Sequence, residues 1–229
     1  MVHQELKNSD YRIRKLIGTL GLCLPFILLI SKGELLASMS HYYYATLSSL
    51  FFIIILSAFA LFLISYRGYK KDATSEIISD DIITNIGGFA ALVVVFVPTC
   101  CTDSNSAIID LICKNENYPL FGHKSAATNA IHLISAAIFI LSMGWMSKYK
   151  FTRNKDDVNN KLYNICGNIV FISVALILVM IILEKLGVGT GSLFFKYYVF
   201  IFETTAVIPF GISWLVKGKA IDDVKSFLK

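Results

Sequence analysis

The sequence predicts an all-α protein, a polytopic transmembrane bundle of about six spans with both termini cytoplasmic. Two observations carry this prediction. Of 229 residues, 55% are hydrophobic and only 16% charged, with a mean hydropathy of +0.65, well outside the composition of an ordinary soluble domain. The charges also fall in clusters between long uncharged runs, whereas a soluble protein scatters them over every amphipathic surface.

Six apolar runs stand between charge clusters, at 16–31, 42–66, 82–102, 125–147, 162–183 and 197–216. Most approach the roughly 20 residues needed to cross about 30 Å of hydrocarbon as a helix. The first is the shortest and contains Pro25; Lys15 and Lys32 at its ends extend it by snorkelling toward the headgroups. Arg12, Arg14 and Lys15 before this run also fit a signal peptide, but Lys32 and Glu34 stand between the run and the small residues Ser38 and Ser40. A span is the better reading. Lipidation motifs are not seen.

Basic residues orient the bundle. With the N-terminus inside, 16 Lys and Arg lie on cytoplasmic segments and 5 on outer ones, the asymmetry of the positive-inside rule. An even number of spans returns the C-terminus to the cytoplasm, and the expected location is the plasma (inner) membrane. The net charge of +5 sits in short juxtamembrane loops, which suits anionic lipid headgroups rather than nucleic acid. Residues 1–229 form a single transmembrane domain. Residues 220–229 suggest an amphipathic helix on the membrane surface, and the longest extramembrane segment, about 101–124, faces outward.

Of the five cysteines, Cys23 and Cys166 lie within spans, while Cys100, Cys101 and Cys113 belong to the outer loop. An oxidising exterior allows one bridge from Cys113 to Cys100 or Cys101, with one sulfur left over. Closing a loop of about a dozen residues stabilises by about 3 kcal/mol in the chain-entropy view.

Polar residues gather at the outer side. His132 in the fourth run and Glu203 in the sixth are the two ionisable residues within spans, and such residues are functional candidates because ionising in hydrocarbon is costly. Both helices descend from the outer face, and each residue lies about 10 Å below its helix end at 1.5 Å per residue. We therefore expect them to be neighbours. Tyr42, Tyr43 and Tyr44 read as an aromatic belt, yet successive helical residues diverge by 100°, so at least one faces the bundle. With Ser40 and Thr99 they complete an expected outer-leaflet pocket. A bare packing role for the His–Glu pair is the competing reading.

A weaker reading assigns a metal to His41, His123 and His132, although none are at the spacing of a helical ligand pair and catalytic zinc needs about three such ligands. Arg67, Tyr69 and Lys70 form a weak candidate for headgroup binding at the cytoplasmic rim. No cofactor is expected.

Several segments resemble a set of uncharacterised bacterial multi-pass membrane proteins: Ser38-x-Ser40-x-Tyr42-Tyr43-Tyr44, Ser65-Tyr66-Arg67-Gly68-Tyr69 with Asp72, Pro98-Thr99, His132 with Ala136-Ala137, and Glu203 through Phe210-Gly211-Ile212-Ser213-Trp214-Leu215-Val216-Lys217-Gly218. The resemblance covers most of the chain and implies a helical membrane bundle with no known activity. His41 and the cysteine-bearing loop fall outside its pattern. A looser similarity, to the membrane hydrolase superfamily that includes alkaline ceramidases, is one of fold only, because the terminal His-x-x-x-His helix of those proteins is missing here.

The leading functional expectation is a pocket in the outer leaflet that binds a lipid or other small amphiphile. Three alternatives stand beside it: a membrane-embedded, possibly metal-dependent hydrolase using His132 and Glu203; a proton-coupled transporter in which that pair titrates; and a structural subunit of a homo-oligomer or larger membrane complex. The lack of an internal repeat lowers the transporter reading.

Overall fold

The computed structural model describes residues 8–69, 71, 76, 78–102, 104–189 and 191–220. Its helices are α1 (Asn8–Lys32), a 3-10 helix (Met39–Tyr44), α2 (Thr46–Ser65), α3 (Asp80–Phe96), α4 (Ala107–Lys114), α5 (Ala126–Trp145), a π-helical continuation (Met146–Lys150), α6 (Asn160–Lys185) and α7 (Leu193–Lys217). No strand occurs among the described residues. Among the described residues five helices are long and apolar enough to cross a membrane: α1, α2, α5 with its π-helical end, α6 and α7. The protein is therefore read as an integral membrane protein.

The third expected span differs from expectation. Its helix stops at Phe96 rather than reaching residue 102, because Pro98 disfavours helical geometry at the preceding Val97. Seventeen residues remain, about 25 Å of helix at 1.5 Å per residue. The segment after it forms a cap containing α4, an eight-residue helix with a strongly amphipathic sequence that the apolar runs did not reveal. α1 and α7 start a turn or more ahead of their apolar runs, at Asn8 and Leu193.

Contacts arrange the helices as an antiparallel bundle. α1 packs on α2 and α7, α3 between α2 and α5, and α6 between α5 and α7. The α1–α7 contact is a close backbone approach. A Cβ on Gly18 would meet the Leu215 nitrogen at 2.7 Å and the Gly211 oxygen at 2.8 Å; one on Gly211 would meet the Leu22 nitrogen at 2.8 Å. Small residues at such a seam let helices approach where no hydrophobic force drives them together.

One end of the bundle carries the 3-10 helix and α4, and is called here the cap end. At the other, α1 begins and α7 finishes. There Arg14, fully buried, donates from Nε to the Tyr66 hydroxyl at 2.9 Å and from Nη1 to the Lys217 carbonyl at 3.2 Å. Beside it, Arg153 and Lys150 surround the Asp80 and Glu76 carboxylates. Asp157 binds Lys217 at 2.8 Å.

Candidate functional site

The cap end is built around a segment that the sequence reading assigned to the start of a span. Residues 39–44 wind as a 3-10 helix and α2 starts only at Thr46. Tyr42, Tyr43 and Tyr44 are all essentially inaccessible, so none forms a lipid-facing belt. Each phenol is engaged inside the protein. Tyr42 donates to the Glu34 carbonyl at 2.8 Å, Tyr44 donates to the Thr99 carbonyl, and Tyr43 accepts from the Phe121 N–H at 3.2 Å. Three side chains 120° apart on a 3-10 helix are buried on every side because the cap folds over them.

His132 and Glu203 reach this segment from different helices, but they are not bonded to each other. Glu203 Oε2 accepts the backbone N–H of Met39 at 2.6 Å. His132 bonds the next residue: its Nε2 lies 2.9 Å from Ser40 Oγ, and its Nδ1 lies 2.7 Å from the Val97 carbonyl. Both residues thus meet one short segment, and no direct bond joins them because the 3-10 helix supplies each with its own partner.

The bonding fixes the tautomer. A carbonyl oxygen only accepts, so Nδ1 carries the proton and donates to Val97; in the neutral ring Nε2 then holds a lone pair, and Ser40 donates to it. His132 is 1% exposed and Ser40 7%.

Around this core the cap is stapled from several directions. Asn129, which the sequence reading did not single out, accepts from Thr99 Oγ1 at 3.1 Å and from the Cys100 N–H at 2.9 Å. A short polar residue one turn above His132 carries no signal unless its loop partners are known. Glu34 accepts from Ser106 Oγ at 2.8 Å and pairs with Lys32 at 3.1 Å. The Ser106 bond and Lys32 hold its carboxyl below the usual carboxylate range. Cys101 is bridged to Cys113, with Cα atoms 5.3 Å apart, and Cys100 is the leftover buried thiol. This is one of the two pairings that the spacing allowed.

The three histidines do not converge as metal ligands, and among the described residues no group of three His, Cys, Asp or Glu could hold an ion. Lone pairs give the reason. His123 donates from Nε2 to the Pro98 carbonyl and accepts the Ser125 N–H on Nδ1, and both nitrogens of His132 are occupied. His41 alone keeps a nitrogen open: its Nδ1 lies 2.8 Å from Ser38 Oγ, and its buried Nε2 has no partner. Burial, followed by the neighbouring His132, holds the His41 ring down to about 4, so it is neutral at physiological pH.

An open site lies beside this network. A groove of about 210 Å³ runs between the end of α1, the start of α2 and the α4 helix. Its polar side carries Ser31, Lys32, Tyr44, Thr46 and Ser48; its apolar wall is Ile108, Ile109 and Ile112. Ser31 Oγ bonds Ser48 Oγ at 2.8 Å, which draws α1 and α2 together under the floor. A second, wider groove of about 550 Å³ between α3 and α5 is lined by Ile82, Ile86, Phe89, Val93 and Ile138, with Asn85 and Ser135.

At the opposite end Arg67 is exposed, whereas Tyr69 is drawn inward. Its ring stacks between Arg14 at 5.4 Å and Arg153 at 5.1 Å, and its N–H binds Asp80 at 3.1 Å. Those two therefore do not form one headgroup site; Lys70, and residues 221–229 of the expected terminal helix, lie outside the described residues. Neither a protein-family model, nor a curated protein, nor a solved structure matches the chain.

Proposed function

We infer that this is a plasma-membrane protein of six spans with cytoplasmic termini, and that its outer rim binds a membrane amphiphile. The observation that carries the binding reading is the groove at the cap end. Hydroxyls and one ammonium line one side and isoleucines the other, which suits a molecule with a polar head and an apolar body. The residues expected to line the pocket, His132, Glu203, Thr99, Ser40 and the three tyrosines, instead form a frame beside the groove, each with a polar atom bonded inside the protein. Tyr44 belongs to both.

Lipid retained through purification tests the binding. Mass spectrometry of the wild type should find an amphiphile at near-stoichiometric level, and Ile112→Trp, which fills the groove, should reduce it by tenfold or more. Equal retention by the variant, or none by the wild type, would remove the reading. The transporter alternative has lost its main support, since His132 and Glu203 are bonded to separate groups.

The orientation rests on the 16 against 5 distribution of basic residues, together with a fold that brings the start of α1 and the finish of α7 to one end. α3 is counted as the sixth span because it packs between two long apolar helices, whose neighbours shorten the thickness it must cross. A cysteine introduced at Lys155 should resist an impermeant maleimide on intact cells and react once the membrane is opened. Reaction from outside would invert the topology.

A further inference from the structure

We propose that Ser40 is a nucleophile with His132 as its base, and that the chain cleaves acyl esters of membrane amphiphiles at its outer rim. The proposal stands on the Ser40–His132 geometry and not on the groove, so either can fail alone.

Three features of the arrangement are those an acyl-transfer site requires. The hydroxyl lies 2.9 Å from Nε2, within reach for direct proton transfer. The base is oriented: its other nitrogen donates to the Val97 carbonyl at 2.7 Å, which locks the tautomer that leaves Nε2 free to accept. That carbonyl also lies where the imidazolium formed during reaction needs a negative partner. The third feature is the unpartnered Nε2 of His41, the residue after Ser40. In the tautomer in which Ser38 donates to Nδ1, this Nε2 carries a proton with no partner, which is the state of an oxyanion donor before substrate arrives.

A structural tie alone would also explain a serine bonded to a histidine, since the bond fastens the 3-10 helix to α5. It does not explain a buried ring nitrogen left idle next to it, because such a group costs about 1–3 kcal/mol. The position suits an ester as well. Ser40 sits within two turns of the start of α2, which, with α2 as a span, puts it near the level of headgroups and ester carbonyls. Ser40 is nearly covered, and the adjacent His41 is partly exposed.

The reaction closes without a cofactor. Ser40 Oγ bonds to the carbonyl carbon as its proton passes to His132 Nε2. The bond to the alcohol oxygen then breaks, and that oxygen takes the proton from Nε2, leaving acyl-Ser40 and free alcohol. Water adds to the acyl carbon by the same proton path and releases the carboxylic acid with Ser40 restored.

The test is covalent trapping of the full-length protein in detergent or nanodiscs with a long-chain alkyl fluorophosphonate, the adduct being located by peptide mass spectrometry. Modification at Ser40 is expected in the wild type. It should fall by about 100-fold or more in His132→Gln, the scale at which general-base assistance is lost, while Ser49→Ala reacts normally. A folded wild type that stays unmodified overturns the proposal, and so does equal labelling of His132→Gln. Should that variant not fold, the wild type alone decides with a long-chain p-nitrophenyl ester: a burst of p-nitrophenol with acyl-Ser40 supports the nucleophile, and its absence rejects it.

Discussion

Replacing Arg14 by alanine is expected to cost about 4 kcal/mol of stability, measured as reversible unfolding in mixed detergent, among the largest effects of any single side chain here. Arg14 is fully buried, and among the described residues no carboxylate is one of its hydrogen-bond partners. Its charge is instead met by the Tyr66 hydroxyl, which accepts from Nε and Nη2, by the Lys217 carbonyl, and by the rings of Tyr11, Tyr69 and Phe151 at 5.8, 5.4 and 5.5 Å. Alanine leaves the phenol and the carbonyl without donors and opens a cavity beneath Trp214, which packs against Tyr66 and Phe151.

Two effects oppose each other at this position. Desolvating a guanidinium is unfavourable, so an apolar residue of similar length gains something that alanine does not. Arg14→Met should therefore cost less than alanine, whereas Arg14→Lys should cost about 2 kcal/mol despite keeping the charge. A single ammonium cannot reach Tyr66 twice and Lys217 as well, and it is more strongly hydrated than a guanidinium. If lysine were neutral, charge rather than the planar fork would be what this cage recognises.

Arg14 also shows what the sequence withheld. Counted among the basic residues before the first apolar run, it served the topology argument as one more cytoplasmic charge. The helix in fact begins at Asn8, which places Arg14 two turns inside it and turns it toward Tyr66. Nothing in the charge pattern separates a solvated arginine from a buried one, because the difference is made by the aromatic residues of three distant segments. Run boundaries were legible wherever lysine and arginine bracket apolar residues. α3 was misjudged in length where a proline, and not a charge, ends the helix. The cap was the least legible part. Its 3-10 helix has no periodicity that an apolar run reveals, and its bonds join residues up to 164 positions apart, as between Met39 and Glu203. The level of His132 and Glu203 followed from helix rise alone; their partners did not.

At the same end as Arg14, Asp80→Asn is expected to destabilise by about 3 kcal/mol and Asp80→Ala by more, since removing one member of a buried charge cluster strands the rest. The Asp80 carboxylate is 1% exposed and accepts from Arg153 Nη2 at 2.9 Å and from the Tyr69 N–H at 3.1 Å, with Lys150 at 3.8 Å. Without it, Lys150, itself 4% exposed, and Arg153 share the Glu76 carboxylate. Among the described residues, two cations then face one anion. Asparagine keeps the shape but presents a neutral oxygen, or an amide N–H, to Arg153. The loop suffers too, because the Tyr69 N–H that closes it over the start of α3 loses a charged acceptor, worth about 1.5–3 kcal/mol. Arg153→Gln alone should cost somewhat less, as Arg153 is partly exposed at its outer side. The two changes together should cost less than their sum by about 1 kcal/mol or more, since the second removes a cation whose Asp80 partner the first has already taken away. Strict additivity in this double-mutant cycle would mean that the two groups are held in place by the backbone and contribute independently. That outcome would reject the cluster as the clasp between the α2–α3 connection and the end of α5.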